Sequence, residues 1–262
     1  SASFAHDRLR EACLERFSSQ VRARLHAHIA SALEAANPSN VHALSYHFGR
    51  SHLPERAFPY ALRAAQESAA RFAYDLSEDH FRLALVSIDQ QLPAQRLWVW
   101  SGLAEVLLKR GDYAESEQFF QKALSEKPLS PLEEAALWAR LGYLELSRGR
   151  LPEAGLYSGQ ALEMLGQKLP TSPLQVAGGI LRHAAGVLRN SLWRRPPQVC
   201  PEPNKLRQDL MIQFSFLQFF VGRPDLLLWG HLFSLAEGER YQESVALSSA
   251  YAMQSIILVT FA

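Results

Sequence analysis

The chain has 262 residues, nearly half of them apolar, and its 27 lysines and arginines almost balance 26 aspartates and glutamates, leaving a formal net charge of +1. That length and apolar share suffice for a sizeable core, and the balance of charge gives no ground for nucleic acid or an anionic membrane as the principal partner. Two isolated cysteines, Cys13 and Cys200, offer no disulfide framework, metal spacing or redox pair, and suit a reducing, cytoplasmic setting.

Residues 1–36 read as two helices. Leu9, Cys13 and Phe17 mark the first and Val21, Leu25, Ile29 and Leu33 the second, each at a spacing of four, with Ser18 or Ser19 as the second helix's cap. Residues 37–167 read as helical repeats. Asn37-Pro38-Ser39-Asn40 is a turn and cap signal, after which Leu44, Phe48, Ala57, Ala61 and Ala64 fit one degenerate repeat. A helix over 55–72 then pairs with one over 76–88, and the small residues Ala61, Ala64, Ala65, Ala69 and Ala70 permit close helix approach. Two starts are legible as capping signals with proline at the first helical position: Ser130-Pro131-Leu132-Glu133 and Ser172-Pro173-Leu174-Gln175.

Residues 168–204 interrupt this rhythm with one helix, from Pro173 to about Leu192, and a Pro-rich extended link through Trp193-Arg194-Arg195-Pro196-Pro197 and Pro201 to Asn204. Residues 205–262 read as three further helices, over 206–221, 224–236 and 241–261, punctuated by Gly222 and Gly238. Tyr241-Gln242-Glu243-Ser244 mirrors Tyr113-Ala114-Glu115-Ser116, but which helix opens a pair here is left open. The chain closes inside an apolar helical pattern, Ile256 to Phe261, so more repeats are expected to follow in a parent protein. No apolar run approaches the roughly 20 residues of a membrane helix, and no stretch has the pattern of a signal peptide.

The stretch from Leu97 to Leu165 organises the whole. Trp100, Leu103, Ala104, Leu107, Gly111, Tyr113, Phe120 and Ala123 form one pattern, and Trp138, Leu141, Gly142, Gly149, Leu151, Ala154 and Ala161 form a second. Trp100 to Trp138, Gly111 to Gly149 and Ala123 to Ala161 share one offset of 38 residues. In the second copy Glu145 stands where a large apolar residue is expected and Ser158 where an aromatic is expected. The spacing resembles that of tetratricopeptide repeats, whose unit is about 34 residues; the surplus falls in Lys127 to Ser130. The resemblance implies an all-α chain, an α-α superhelix of antiparallel helix pairs that offers a groove to other polypeptides.

A second resemblance covers about the first thirty residues. Phe4-Ala5-His6-Asp7-Arg8-Leu9-Arg10-Glu11-Ala12, then Arg24-Leu25-His26 and Ile29-Ala30, are similar to the junction in STAND-type signalling ATPases where a winged-helix module gives way to helical repeats. That likeness implies that His6 and Asp7 are a nucleotide-sensing pair in a parent protein. No G-x4-G-K-[ST] occurs here, so no nucleotide site is complete and no cofactor is expected in this chain.

On the family pattern the first helix of each pair lines the groove. This nominates Trp98, Ser101, Glu105, Leu108 and Lys109, then Ala136, Ala139, Arg140, Tyr143 and Ser147, with Trp98, Ser101, Glu105, Lys109, Arg140 and Tyr143 as partner-binding residues. Family members that clamp a terminal carboxylate use Lys and Asn at such places; Ser101, Glu105, Ala139 and Tyr143 supply no such clamp. Nine histidines invite a metal reading, but His26 and His28 diverge on a helix, as do His42 and His47, and no H-E-x-x-H occurs. Arg8, Arg10, Arg16, Arg22 and Arg24 interleave with Glu11 and Glu15 and read as a solvated face. Phe214, Phe216, Phe219 and Phe220 spread around their helix and are expected to be covered on more than one side. No catalytic or metal constellation stands out. The reading is a non-catalytic protein-interaction scaffold, the sensor or autoregulatory repeat region of a larger signalling ATPase or kinase, holding a protein or peptide, with its own upstream ATPase module among the candidates. The alternative is a stand-alone adaptor that assembles a complex.

Overall fold

The computed structural model describes residues 16–193, 199–241, 248 and 251–252. His6, Asp7, the first helix anticipated within 1–36 and most of the segment after Tyr241 lie outside them. The described residues form α1 (Ser19–Ala36), α2 (Val41–Gly49), α3 (Pro54–Ala70), α4 (Tyr74–Leu85), a 3-10 turn (Ile88–Gln90), α5 (Pro93–Arg110), α6 (Tyr113–Ser125), α7 (Pro131–Ser147), α8 (Leu151–Met164), α9 (Pro173–Leu192), α10 (Glu202–Val221) and α11 (Pro224–Tyr241), with no strand among them. The fold is an all-α array of tetratricopeptide-like helix pairs. Its contacts divide into two compact units, Ser1–Glu126 and Lys127–Ala262.

The capping signals act as their chemistry requires. Ser18 Oγ accepts from Val21 N at 3.3 Å and opens α1. At α7 the box closes both ways, Glu133 N donating to Ser130 Oγ (3.2 Å) and Ser130 N to Glu133 Oε2 (2.8 Å). The Ser130 hydroxyl, then its backbone N–H, hold the Glu133 carboxyl below its ordinary value. At α9 Ser172 Oγ caps Gln175 N at 3.3 Å, while Gln175 Oε1 turns instead to Thr171 N at 2.8 Å.

In the first unit α3 pairs with α4, α5 with α6, and α4 packs on α5. One hydrogen bond repeats at the heart of each pair: Ser77 Oγ donates to Ala65 O at 2.8 Å, and 39 residues later Ser116 Oγ donates to Ala104 O at 2.7 Å. Alanine on one helix and serine on the other bring the backbones close enough for the short serine side chain to bridge them. Between the helices of a pair the chain turns through a left-handed residue, Gly111 (φ 89°) and Gly149 (φ 77°). Phe72 holds the same position in the α3–α4 turn, with φ 60° and its ring 77 % exposed, at a cost of about 1–2 kcal/mol that glycine avoids.

The α1 helix corrects one expectation. Val21, Leu25 and Ile29 are exposed, and the face turned inward carries Ala27 and Ala30 with half-buried Leu33. Ala30 joins Leu44, Phe48 and Ala57 in a core cluster, so small side chains rather than the larger stripe set how closely α1 meets α2.

In the second unit α7 pairs with α8 and α10 with α11; α8 packs on α10, and α9 packs on α11. Thus α10 takes the place of the next first helix, and α9, which precedes it in sequence, lies beyond α11. Gly222 (φ 73°) closes α10 as Gly111 closes α5, which fixes the pairing phase. Pro201–Asn204 is no extended link, because the helix begins at Glu202 and Pro203 sits in its first turn, where its missing N–H costs nothing. Gly238 does not break α11 either: it is buried inside a helix whose described residues run on through Tyr241, so Tyr241 belongs to this helix.

The core of this unit gathers Ala161 and Leu162, Val176, Leu210, Met211 and Phe214, and Trp229 and Phe233, with Trp138 half-buried against them. Of the four phenylalanines on α10 only Phe214 enters it. Phe216, Phe219 and Phe220 are 39 %, 41 % and 53 % exposed and pack on one another, since positions 210, 211, 214 and 217 already form the inward stripe. Glu145 is tolerated at an apolar position because Arg148 Nη1 reaches its Oε1 at 2.7 Å and Arg150 its Oε2 at 3.4 Å.

Candidate functional site

Within the first unit α3, α4 and α5 enclose a groove of about 440 Å³, lined by Gln66, Ala69, Tyr74, Phe81, Trp98, Ser101, Gly102, Glu105, Val106 and Lys109. Glycine at 102 makes the floor, since a Cβ there would lie 2.4 Å from Phe81 Cζ. Phe81 is therefore pressed onto the α5 backbone and buried. Trp98, 58 % exposed, stands at the rim, and half-buried Tyr74 lines the groove from the start of α4. Ser101 Oγ donates to Leu97 O at 2.7 Å, which commits the hydroxyl to its own helix. Glu105 and Lys109, one turn apart, give the rim one charge of each sign.

Four of the six residues nominated from sequence, Trp98, Ser101, Glu105 and Lys109, thus come together on one wall. Arg140 and Tyr143 lie exposed on α7 in the second unit. Leu108 and Ala139 are corrections. Leu108 is buried, and Ala139 is packed in the core cluster with Leu210 and Phe214, so neither side chain is presented to a ligand.

Sequence spacing missed two histidine pairs. His26 Nδ1 lies 2.9 Å from His47 Nδ1, and His42 Nδ1 lies 3.2 Å from His80 Nε2, while Ser45 Oγ meets His80 Nδ1 at 2.9 Å. Each pair joins side chains from different helices, which intrahelical spacing cannot reveal. Burial foremost lowers the pKa of His26, His47 and His80. No group of three or more metal-ligating side chains able to hold a metal ion occurs among the described residues.

In the second unit His183 is buried between Trp229 and Phe233, edge-on to both. Burial, and then the Arg182 charge, push its pKa down from 6.5 to about 4. In the unfolded chain the group titrates near its ordinary value, so between about 6.5 and 4 the unfolded state takes up a proton that the folded state refuses. The stabilisation is complete above 6.5 and is lost as the pH falls through that window. Urea titrations above pH 6.5 and at about pH 5 are expected to show a loss of stability that shrinks, without vanishing, in His183→Gln, because buried His231 is shifted in the same direction.

Residues 98–130 match the tetratricopeptide repeat family. The matched span covers α5 from Trp98 onward, α6 and the start of the link to α7, so it includes the groove wall. Among solved structures, the crystal structure of BtubC (BKLC) from P. vanneervenii is similar at 15 % identity, over 92 % of this chain and 93 % of that one, with a TM-score of 0.36. No curated protein matches the chain. Among the described residues no helix is long and apolar enough to cross a membrane.

Proposed function

We propose that this chain is a non-catalytic scaffold whose first unit holds a peptide segment of a partner protein in the groove beside α5. The observation that carries the reading is an exposed Trp98 indole at the rim of a groove floored by Phe81, which packs on Gly102. An apolar side chain of the peptide would rest between Trp98 and Tyr74, while Glu105 and Lys109 would orient its flanking polar groups. Exposed aromatic anchors of this kind dominate peptide affinity. In the wider reading the array is the sensor or autoregulatory region of a larger signalling ATPase or kinase in the cytoplasm, and the segment it holds belongs to that catalytic module. Supporting this are the junction-like residues 4–12 and 24–30.

Peptides selected from a random display library on the full chain provide the test. Trp98→Ala is expected to weaken their binding about 30-fold, the scale of an aromatic hot spot. Selected peptides that bind Trp98→Ala as well as the parent chain would place the site elsewhere. For the wider reading, a pull-down of the catalytic module by this chain should be lost in the same variant.

A further inference from the structure

The parallel packing of α9 on α11 creates a second concavity, in the second unit, that the repeat pattern does not provide. It measures about 440 Å³ and is lined by Arg182, Arg189 and Arg240 among others, with Glu237 as its one carboxylate. Glu237 is already engaged, by Arg207 at 3.3 Å and Arg240 at 3.8 Å. Arg182 and Arg189 are exposed, and neither has a carboxylate within ion-pair distance among the described residues. Arginine keeps its charge under all ordinary conditions, so the trough presents two positive charges that no carboxylate of the described residues pairs.

Their spacing selects a ligand. Seven residues apart on α9, the two arginines share one face and lie about 10 Å apart along the axis. One phosphate would serve both only if the two guanidinium groups converged from that spacing. Two carboxylates three residues apart on a polyproline-II strand, which has three residues per turn, fall on one face and lie about 9 Å apart. Between the arginines, Ala185 and Gly186 leave the helix surface low enough for a strand to lie on it, and Gly186 is in ordinary contact with Ala236 of α11. Asn190 Nδ2 donates to Ala236 O at 2.9 Å and holds the trough's end together.

We propose that the α9–α11 trough binds an extended acidic peptide segment, with Arg182 and Arg189 each taking one of two carboxylates spaced three residues apart. This surface is independent of the groove beside α5 and stands whether or not that groove binds a peptide. His183 on its floor is neutral at ordinary pH because burial holds it down to about 4, so the trough's charge comes from arginine alone. Affinity should therefore be flat from about pH 6 to 8, with the peptide's glutamates ionised throughout.

The experiment is fluorescence anisotropy of a labelled ten-residue Gly/Ser peptide carrying two glutamates three residues apart, titrated with the full chain at low ionic strength. Arg182→Gln/Arg189→Gln is expected to weaken binding about tenfold or more, whereas Arg24→Gln/Arg63→Gln, which removes equal charge from the first unit, should leave it unchanged. The same peptide with glutamine in place of glutamate should not bind. Arg182→Glu/Arg189→Glu should instead take a peptide with lysines at those two positions, an outcome that a merely unfolded variant could not give. The proposal fails if the parent chain does not bind the glutamate peptide, if both double variants weaken it alike, or if pyrophosphate or a single-stranded oligonucleotide displaces it at comparable concentration.

Discussion

Phe120→Ala will lower the unfolding free energy of the first unit by about 3–5 kcal/mol, the range for deleting a buried aromatic ring. The ring is fully buried on α6, in the helix pair that also buries Leu103, Ala104 and Leu107 of α5. Phe81 is its counterpart one pair earlier, and Ser158 one pair later. Comparing the three explains why the loss should be large at Phe120. At Ser158 the facing residue is Gly142, whose Cβ would come within 2.7 Å of Ser158 Oγ, so a small residue there already meets backbone. At Phe120 the facing helix carries alanine and leucine, and nothing closes in when the ring is removed. Urea unfolding followed by circular dichroism checks this; an unchanged midpoint would show that the repeat register assigned to α5 and α6 is wrong.

Opposite signs are expected at two adjacent glycines of α9. Replacing either by alanine removes the conformational freedom that makes glycine costly in a helix, a gain of about 0.5–1 kcal/mol. At Gly178 nothing lies within 4 Å of the added Cβ, so Gly178→Ala should realise that gain. At Gly179 the Cβ would fall 2.2 Å from Nε1 of Trp229, a rigid and buried indole. Overpacking of about 1–3 kcal/mol then outweighs the propensity term, and Gly179→Ala should destabilise the second unit. The paired measurement separates close α9–α11 packing from helix propensity. Equal shifts of the same sign would mean that α9 does not rest on Trp229.

The capping serines were legible because a cap is a local device: the acceptor and the N–H that it satisfies lie within four residues, as at Ser130 with Glu133. Gly111 and Gly149 were legible as positions through their shared offset of 38 residues, and the structure gives both a left-handed turn. The resemblance to the repeat family nominated Trp98, Ser101, Glu105 and Lys109, which line one wall of the concavity beside α5, whereas its floor depends on Gly102 meeting Phe81 of another helix. Val21, Leu25 and Ile29 misled, because a stripe of large side chains marks an apolar face without saying that anything described here packs on it. Glu145 and Ser158 looked like departures from the repeat, and each is matched by a partner that spacing does not disclose, two arginines for the first and Gly142 for the second.

By itself, the sequence determined the helices, their caps and turns, and the recurring large and small positions that make neighbouring helices pair, all of which are set by interactions across a few residues or by a period. Only the tertiary structure decided that α10 rather than α9 follows α8 in space, that His26 meets His47 and His42 meets His80, and that two arginines of α9 border a trough on α11. The reason is physical: a helix's apolar face fixes that it must be covered, but which of several similar faces covers it depends on the fit of particular side chains, such as Trp229 against Gly179, brought together across some fifty residues of chain.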